Sequence, residues 1–298
     1  MFRSVLLPLD GSSFAEEALP LAAWIARDSE ADLHLVHVIR PAPDVDFKTP
    51  EEDLAWRTRV REAASAALGE RVARLRRDGV LARAEVREGK VADTLLESAR
   101  EHGSDLVVLT THGAGGFRRW WLGSVADSLL RKGDLPLLLV RPWDDTEDRA
   151  EAEPRFQRVL VPLDGSPESE AVLPHARWLR ERQGAQVTLI RVVPSPLEVG
   201  TLYGIPSVRL ERESHRTQRE QALAYLKDVA GKLGPEASGP VPELRVVEAS
   251  SAAEGILDAA RSLQAELVAL STLGRSGLGR TVVGSVADKV IRGAAVPV

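Results

Sequence analysis

The chain says the same thing twice, and that repeat limits its folds more than any other feature. Residues 5–39, VLLPLDGSSFAEEALPLAAWIARDSEADLHLVHVI, return 154 positions later as VLVPLDGSPESEAVLPHARWLRERQGAQVTLIRVV. Residues 86–131 recur at an offset of 161, so Leu106–Leu109 answers to Leu267–Leu270 and GSVAD at 123–127 to GSVAD at 284–288. A period of about 150 residues is the size of a domain, not of a solenoid unit. The 298 residues therefore divide into two copies, each long enough to bury its own core. A duplicated domain in one chain is a covalent pseudo-dimer. Its chemistry is expected where both copies keep the same unusual residues.

Each copy alternates strands and helices. In the first, Ser4–Leu9 is an apolar run ending at Asp10-Gly11-Ser12, where Ser12 or Ser13 caps a helix with Glu16 and Glu17 in its first turn. Leu19, Ala22, Ala23 and Ala26 continue at helical spacing. Then come a strand at Leu33–Ile39, a Pro-containing loop, a long charged helix at about 51–77, and a strand at Ala82–Arg87. A helix at Val91–Glu101, a strand at Asp105–Thr110, a helix at Ser124–Arg131 and a strand at Pro136–Arg141 complete the copy. Apolar strands separated by helices predict parallel sheets covered on both faces, and right-handed crossovers make them open and doubly wound. The fold class is α/β: two tandem doubly wound five-stranded parallel sheets, Rossmann-like, packed as an intramolecular pseudo-dimer. The copies occupy 1–142 and 157–298, and the acidic, aperiodic stretch 143–156 is the linker. The second long helix is expected over about 207–232. The second copy ends at Ala295-Val296-Pro297-Val298 where the first continues PLLLVRP, so its fifth strand is abbreviated or cut.

Open α/β sheets bind ligands beyond the carboxyl ends of their strands, where the strand order reverses. Three segments arrive there in each copy. The turn after the first strand brings Pro8 and Asp10, matched by Pro162 and Asp164. The end of the second strand brings Val38 or Val192. The turn after the fourth strand is THGAGGFRRWWLGSV at 111–125 and TLGRSGLGRTVVGSV at 272–286. In it Gly113 and the pair Gly123-Ser124 keep the spacing of Gly274 and Gly284-Ser285. Glycines admit close backbone approach, and a helix start offers free N–H donors with a partial positive charge. Together they form a polyphosphate cradle. Asp10 and Asp164 suit a ribose hydroxyl or an adenine amino group, and the backbone of Val38 and Val192 can read an adenine edge. The whole implies a mononucleotide.

These residues resemble the universal stress protein family, in tandem, over essentially the whole chain. The opening V-L-x-P-x-D-G-S, the T-H-G after the fourth strand and the closing G-S-V-A-D carry the resemblance. Its ATP-binding members have G-x2-G-x9-G-[S/T] in this loop. The resemblance thus implies ATP, with or without Mg2+, held in copy one by Pro8, Asp10, Val38, Thr110, Gly113, Gly123, Ser124 and Val125. In copy two it implies Pro162, Asp164, Val192, Ser271, Gly274, Gly284, Ser285 and Val286. Thr110 and Ser271 stand where the motif has its first glycine. Leu273 replaces His112, Ser250 replaces Gly89, and Arg275 replaces Ala114. The resemblance further implies pairing of fifth strands, Leu135–Arg141 with Val296–Val298, and is compatible with a homodimer. The implied role is a cytoplasmic, nucleotide-dependent regulator of a stress response.

Several functions are disfavoured. A net charge of −5 with basic residues spread along the chain leaves no footprint for nucleic acid. The absence of cysteine excludes thiol catalysis and cysteine-bound metal. No apolar run reaches the ~20 residues that span a bilayer. There is no G-x4-G-K-[ST] loop, no G-x-G-x-x-G after the first strand, and no pair of histidines at metal-binding spacing. His112 has no counterpart in copy two and reads as structural, so no catalytic residue is assigned; at most slow ATP hydrolysis or autophosphorylation is expected. Two alternatives stay open: a nucleotide-free dimerising module, and an enzyme splitting ATP to AMP.

Overall fold

β1 (Ser4–Pro8) lies in the middle of the first sheet because its residues Val5, Leu6 and Leu7 have nothing to offer water. In the computed structural model, which describes residues 2–40, 49–111, 122–141, 156–195, 208–272 and 283–298, the chain divides into two compact units, Met1–Pro154 and Arg155–Val298.

In the first unit β1 is followed by a short helix α1 (Ser13–Glu16), α2 (Leu19–Ser29), β2 (Asp32–Ile39), α3 (Pro50–Arg77) and β3 (Ala82–Glu88). Then come α4 (Val91–Glu101), β4 (Leu106–Thr110), α5 (Ser124–Lys132) and β5 (Leu137–Val140). All pairings are parallel, in the order β3-β2-β1-β4-β5. The order reverses between β1 and β4, so the carboxyl ends of these two neighbours frame the crevice that such a sheet reserves for a ligand.

The expected single helix after β1 is in fact two pieces. Pro20 has no N–H to give to a preceding turn, so the helix restarts with that proline in its first turn. Pro174 does the same in the second unit, where a 3-10 turn (Ser169–Val172) precedes α6 (Leu173–Gln183).

The second unit continues with β6 (Arg158–Pro162, ahead of α6), β7 (Gln186–Pro194), α7 (Val208–Ala230), β8 (Glu243–Ala249), α8 (Ala252–Ser262), β9 (Leu267–Val268) and α9 (Ser285–Gly293). Its strands are also parallel, in the order β8-β7-β6-β9. The expected fifth strand is reduced to one ladder bond, Val268 N to Pro297 O at 3.0 Å, the counterpart of Val107 N to Pro136 O at 3.0 Å. The described sheet of this unit has four strands. Phe156, placed by the sequence at the end of the linker, is buried at 7%, as its counterpart Phe2 is at 8%. Among the described residues no helix is long and apolar enough to cross a membrane.

Candidate functional site

The site begins where β1 and β6 leave their sheets. Parallel pairing persists one residue beyond each strand, with Leu9 N donating to Val36 O at 2.9 Å and Leu163 N to Ile190 O at 2.9 Å. Both chains then turn sharply through a left-handed glycine, φ +84° at Gly11 and +83° at Gly165. The preceding aspartate closes the turn. Asp10 Oδ1 accepts from Ser12 N (2.9 Å) and Ser12 Oγ (2.5 Å), and Asp164 Oδ1 from Ser166 N (2.9 Å) and Ser166 Oγ (2.5 Å). The same serine hydroxyl accepts from the next turn, Ala15 N at 3.2 Å or Ser169 N at 3.1 Å. Each aspartate is thereby fixed at the strand tip, exposed in the case of Asp10 and half-buried in the case of Asp164. Pro8 and Pro162 sit one step earlier as the last strand residues.

Across the reversal, β4 ends at Thr110, paired with Val140, and Thr111 N continues the ladder to Val140 O at 2.9 Å. The chain returns at Leu122, and Gly123 N donates to Thr111 O at 2.8 Å. The second unit repeats this closure, Gly284 N to Thr272 O at 2.8 Å. A Cβ at Gly123 would lie 3.1 Å from Thr111 O, and one at Gly284 3.2 Å from Thr272 O, tighter than nine in ten real Cβ contacts, so a side chain there would push on the carbonyl by a few tenths of an ångström. Glycine lets the loop's base close without that shift. The sequence pointed to these glycines but gave no sign that a threonine carbonyl is what they close on.

Both glycines are N-caps, and the first intrahelical bonds run from Asp127 N to Gly123 O and from Asp288 N to Gly284 O, each 2.9 Å. The amides of Ser124 and Val125, and of Ser285 and Val286, precede those bonds and have no partner within the helix. Ser124 and Ser285 are exposed there. Asp127 and Asp288 turn to Arg131 and Arg292 one turn on, so these acids are occupied along the helix flank.

Val38 and Val192 are half-buried near the ends of β2 and β7, opposite Arg87 and Val247 respectively. Ser271 is half-buried just past β9. Gly113 and Gly274, with His112, Leu273, Ala114 and Arg275, lie outside the described residues. The structure thus brings Pro8, Asp10, Thr110, Gly123, Ser124 and Val125 to one end of one sheet, with Val38 on the adjacent strand. Their counterparts gather in the same way in the second unit.

The model of a single protein family matches both units, over residues 1–141 and 155–298; its description is "Universal stress protein family". The chain belongs to that family. A universal stress protein of Mycobacterium tuberculosis is 31% identical over 205 residues, which cover 69% of this chain and 63% of that relative's own length. One from Mycolicibacterium smegmatis is 28% identical across 99% of this chain and 95% of its own. A universal stress protein of Thermus aquaticus is 32% identical over 144 residues, all of its length but only 47% of this chain, as a duplicated domain requires. The crystal structure of a universal stress protein from Archaeoglobus fulgidus superimposes with a TM-score of 0.69 at 19% identity, over 99% of this chain and 96% of that one, and so shares the fold.

Within this universal stress protein the two sites differ at the residue before the valine. His37 Nδ1 is 2.8 Å from Leu9 O, tying β2 to the turn of Asp10. Arg191, its counterpart, lies instead over the ring of Tyr225, 4.9 Å from its centre, and against Gly165. Tyr225 donates to Glu170 at 3.1 Å, and burial together with that carboxylate pushes its hydroxyl up to about 12. The second site therefore has a cationic guanidinium packed at the mouth of its first turn where the first has an imidazole.

Proposed function

We propose that each unit binds an adenine nucleotide, ATP in the first instance, with or without Mg2+, and that occupancy regulates the chain in a stress response. One observation carries the reading. Two copies whose sequences have otherwise drifted keep the same bonds on both sides of the sheet reversal. On one side an aspartate is locked at a strand tip. On the other, helix amides stand behind a glycine that closes on a carbonyl.

The residues fit the ligand. A nucleotide has a neutral, hydrogen-bonding sugar and base at one end and a polyanion at the other. Asp10 or Asp164 would accept from a ribose hydroxyl, for which a carboxylate is apt and a phosphate is not. The amides of Ser124 and Val125, or Ser285 and Val286, with the Ser124 and Ser285 hydroxyls, would receive phosphate oxygens, where the helix dipole favours negative charge. Val38 and Val192 would offer backbone groups to the base, and Thr110 and Ser271 a small wall beside the ribose. Gly113 and Gly274 would belong to the same cradle. Mg2+ would neutralise phosphate charge. No catalytic residue is assigned: the role is binding, with ligand shifting the population of loop states.

The test is direct. Calorimetry of the full chain with ATP should give two sites, and mass spectrometry of ligand released by heat should show an adenine nucleotide. Gly123→Val should lower the stoichiometry from two to one, and Gly284→Val should do the same at the other site. Unchanged stoichiometry in both variants would show the phosphates lie elsewhere. Asp10→Ala should weaken adenosine more than inorganic phosphate. Protein that is empty and silent in calorimetry would support a nucleotide-free module, and release of AMP with pyrophosphate would support an enzyme.

A further inference from the structure

In the first unit β2, β3 and α4 bring together three residues far apart in sequence. His34 and Glu85 lie on the same face of neighbouring strands, Glu85 standing opposite Val36 in the register. His102 caps the carboxyl end of α4, which packs over both strands. His34 Nε2 is 3.9 Å, and His102 Nε2 3.5 Å, from the same oxygen, Glu85 Oε1. The two imidazoles meet edge to face with centres 3.8 Å apart. Among the described residues this is the one group of three or more histidine or acidic side chains whose donor atoms all fall within 4.8 Å of one another.

Two features set it apart from an ordinary packed cluster. The His34 side chain is only 3% exposed, yet its Nδ1 makes no hydrogen bond; His102 Nε2, which faces Glu85, is likewise buried without a partner. Buried polar atoms are almost always satisfied, and here each imidazole leaves one nitrogen unmet, that of His102 facing the carboxylate. The carboxylate is also held in place by hydrogen bonds to the oxygen that faces the imidazoles. Ser98 Oγ donates to Glu85 Oε1 at 2.6 Å and Arg87 Nε at 2.7 Å, and Arg87 is itself neutralised by Glu101. A carboxylate oriented by surrounding hydrogen bonds beside two imidazoles is the usual support of a metal ligand set.

We propose that His34, Glu85 and His102 form a binding site for one borderline divalent transition-metal ion, Zn2+ in the first instance. Two imidazole nitrogens and one carboxylate oxygen suit that class and not Ca2+ or Mg2+, which favour all-oxygen shells. A tetrahedral Zn2+ with ligand bonds of about 2.0–2.2 Å holds its donors roughly 3.4 Å apart, close to the observed 3.5 and 3.9 Å to Glu85, and the two imidazoles, whose centres lie 3.8 Å apart, turn away from each other to share the ion. Entry is open, since the Glu85 and His102 side chains are 23% and 28% exposed. A fourth position remains for water.

The second unit supplies its own control. At the corresponding places it has Thr188, Arg245 opposite Ile190, and Leu263, the carboxyl cap of α8. Leu263 packs into the core there. This fold thus accepts threonine and leucine where the first unit has its histidines, so His34→Thr and His102→Leu are substitutions it can absorb.

The experiment uses the full chain, stripped with chelator and free of nucleotide, titrated with Zn2+ in a calorimeter and with Co2+ in a spectrophotometer. One ion per chain is expected, with a visible Co2+ band of low-symmetry, nitrogen-containing coordination. His102→Leu and His34→Thr should each abolish both signals while circular dichroism stays unchanged. Ser98→Ala, which keeps all three donors, should weaken binding by about tenfold. Should His34→Thr fail to fold, His102→Leu alone decides. No uptake by the stripped chain, or uptake that His102→Leu leaves at the same stoichiometry and affinity, would overturn the assignment.

Discussion

The two copies agree where the sheet order reverses and disagree where helices meet strands elsewhere. At the reversal, corresponding hydrogen bonds differ by no more than 0.1 Å between units: Asp10 with Ser12 against Asp164 with Ser166, and Gly123 with Thr111 against Gly284 with Thr272. Away from it the same fold is stabilised by different means. The first unit passes from α3 to β3 through residues 78–81, whereas the second needs 231–242 to connect α7 to β8. That longer connection is held from inside by Arg180, which is fully buried and donates to Leu233 O, Pro235 O, Gly239 O and Pro240 O at 2.7–3.1 Å. Its counterpart in α2 is Ala26, equally buried and with nothing to hold. The difference teaches that duplication frees the scaffold to drift wherever packing can be solved in more than one way, while the bond pattern of the cleft has been kept.

The largest test of that contrast is Arg180→Ala. It removes the donor for four carbonyls inside the second unit and should cost that unit about 3–5 kcal/mol. Hydrogen exchange resolved by peptide should register the loss over 155–298 and leave the first unit as it was. Equal loosening of both units would break the comparison.

Acid should separate the units next. Burial, then the neighbouring His102, pushes the His34 imidazole down to about 4, with Arg83 and Arg87 acting in the same direction and Glu85 against it. A histidine whose pKa is lowered by folding binds its proton in the unfolded chain first, so stability is lost as pH falls from about 6.5 towards 4. In metal-free protein the first unit should lose on the order of 2–3 kcal/mol over that window. Burial also pushes Glu85 up, but the Arg87 and Ser98 hydrogen bonds outweigh it and hold the carboxyl below its usual range, which adds to acid sensitivity at lower pH. Thr188 stands for His34 in the second unit, and His34→Thr should flatten the slope. Denaturant melts at pH 7 and 4.5 that show no change in slope would refute this.

The smallest effect should be the most symmetrical. Ser12→Ala and Ser166→Ala each delete the hydroxyl that links the aspartate to the next turn, and each should cost about 1 kcal/mol. Losses differing by more than the experimental error would sharpen the comparison, because Arg191 packs only against the second of these turns.

Much of this could be read from the residues before any coordinates. Apolar runs between helical patterns locate every strand of the first copy to within a residue or two, since central strands such as Val5–Leu7 are buried on both faces. Repetition singled out Asp10, Gly123 and their counterparts because two drifting copies rarely keep the same glycine spacing without cause. Pro20 and Pro174 restart their helices inside an apolar pattern that runs on through both pieces, so the break is hidden in the sequence. Local spacing along the chain offers no histidine pair suited to metal. His34, Glu85 and His102 are joined by strand register and helix packing instead.

Local chemistry alone therefore determined the duplication, the α/β class, the strand tips and the glycines at the helix starts, since each follows from what neighbouring residues can do with their own backbone. Tertiary structure alone decided that Thr111 and Thr272 close the loops, that Arg180 fills the second unit's interior and that two histidines converge on Glu85. Those contacts join residues tens of positions apart, and only packing a sheet against its helices chooses which distant side chains share a space.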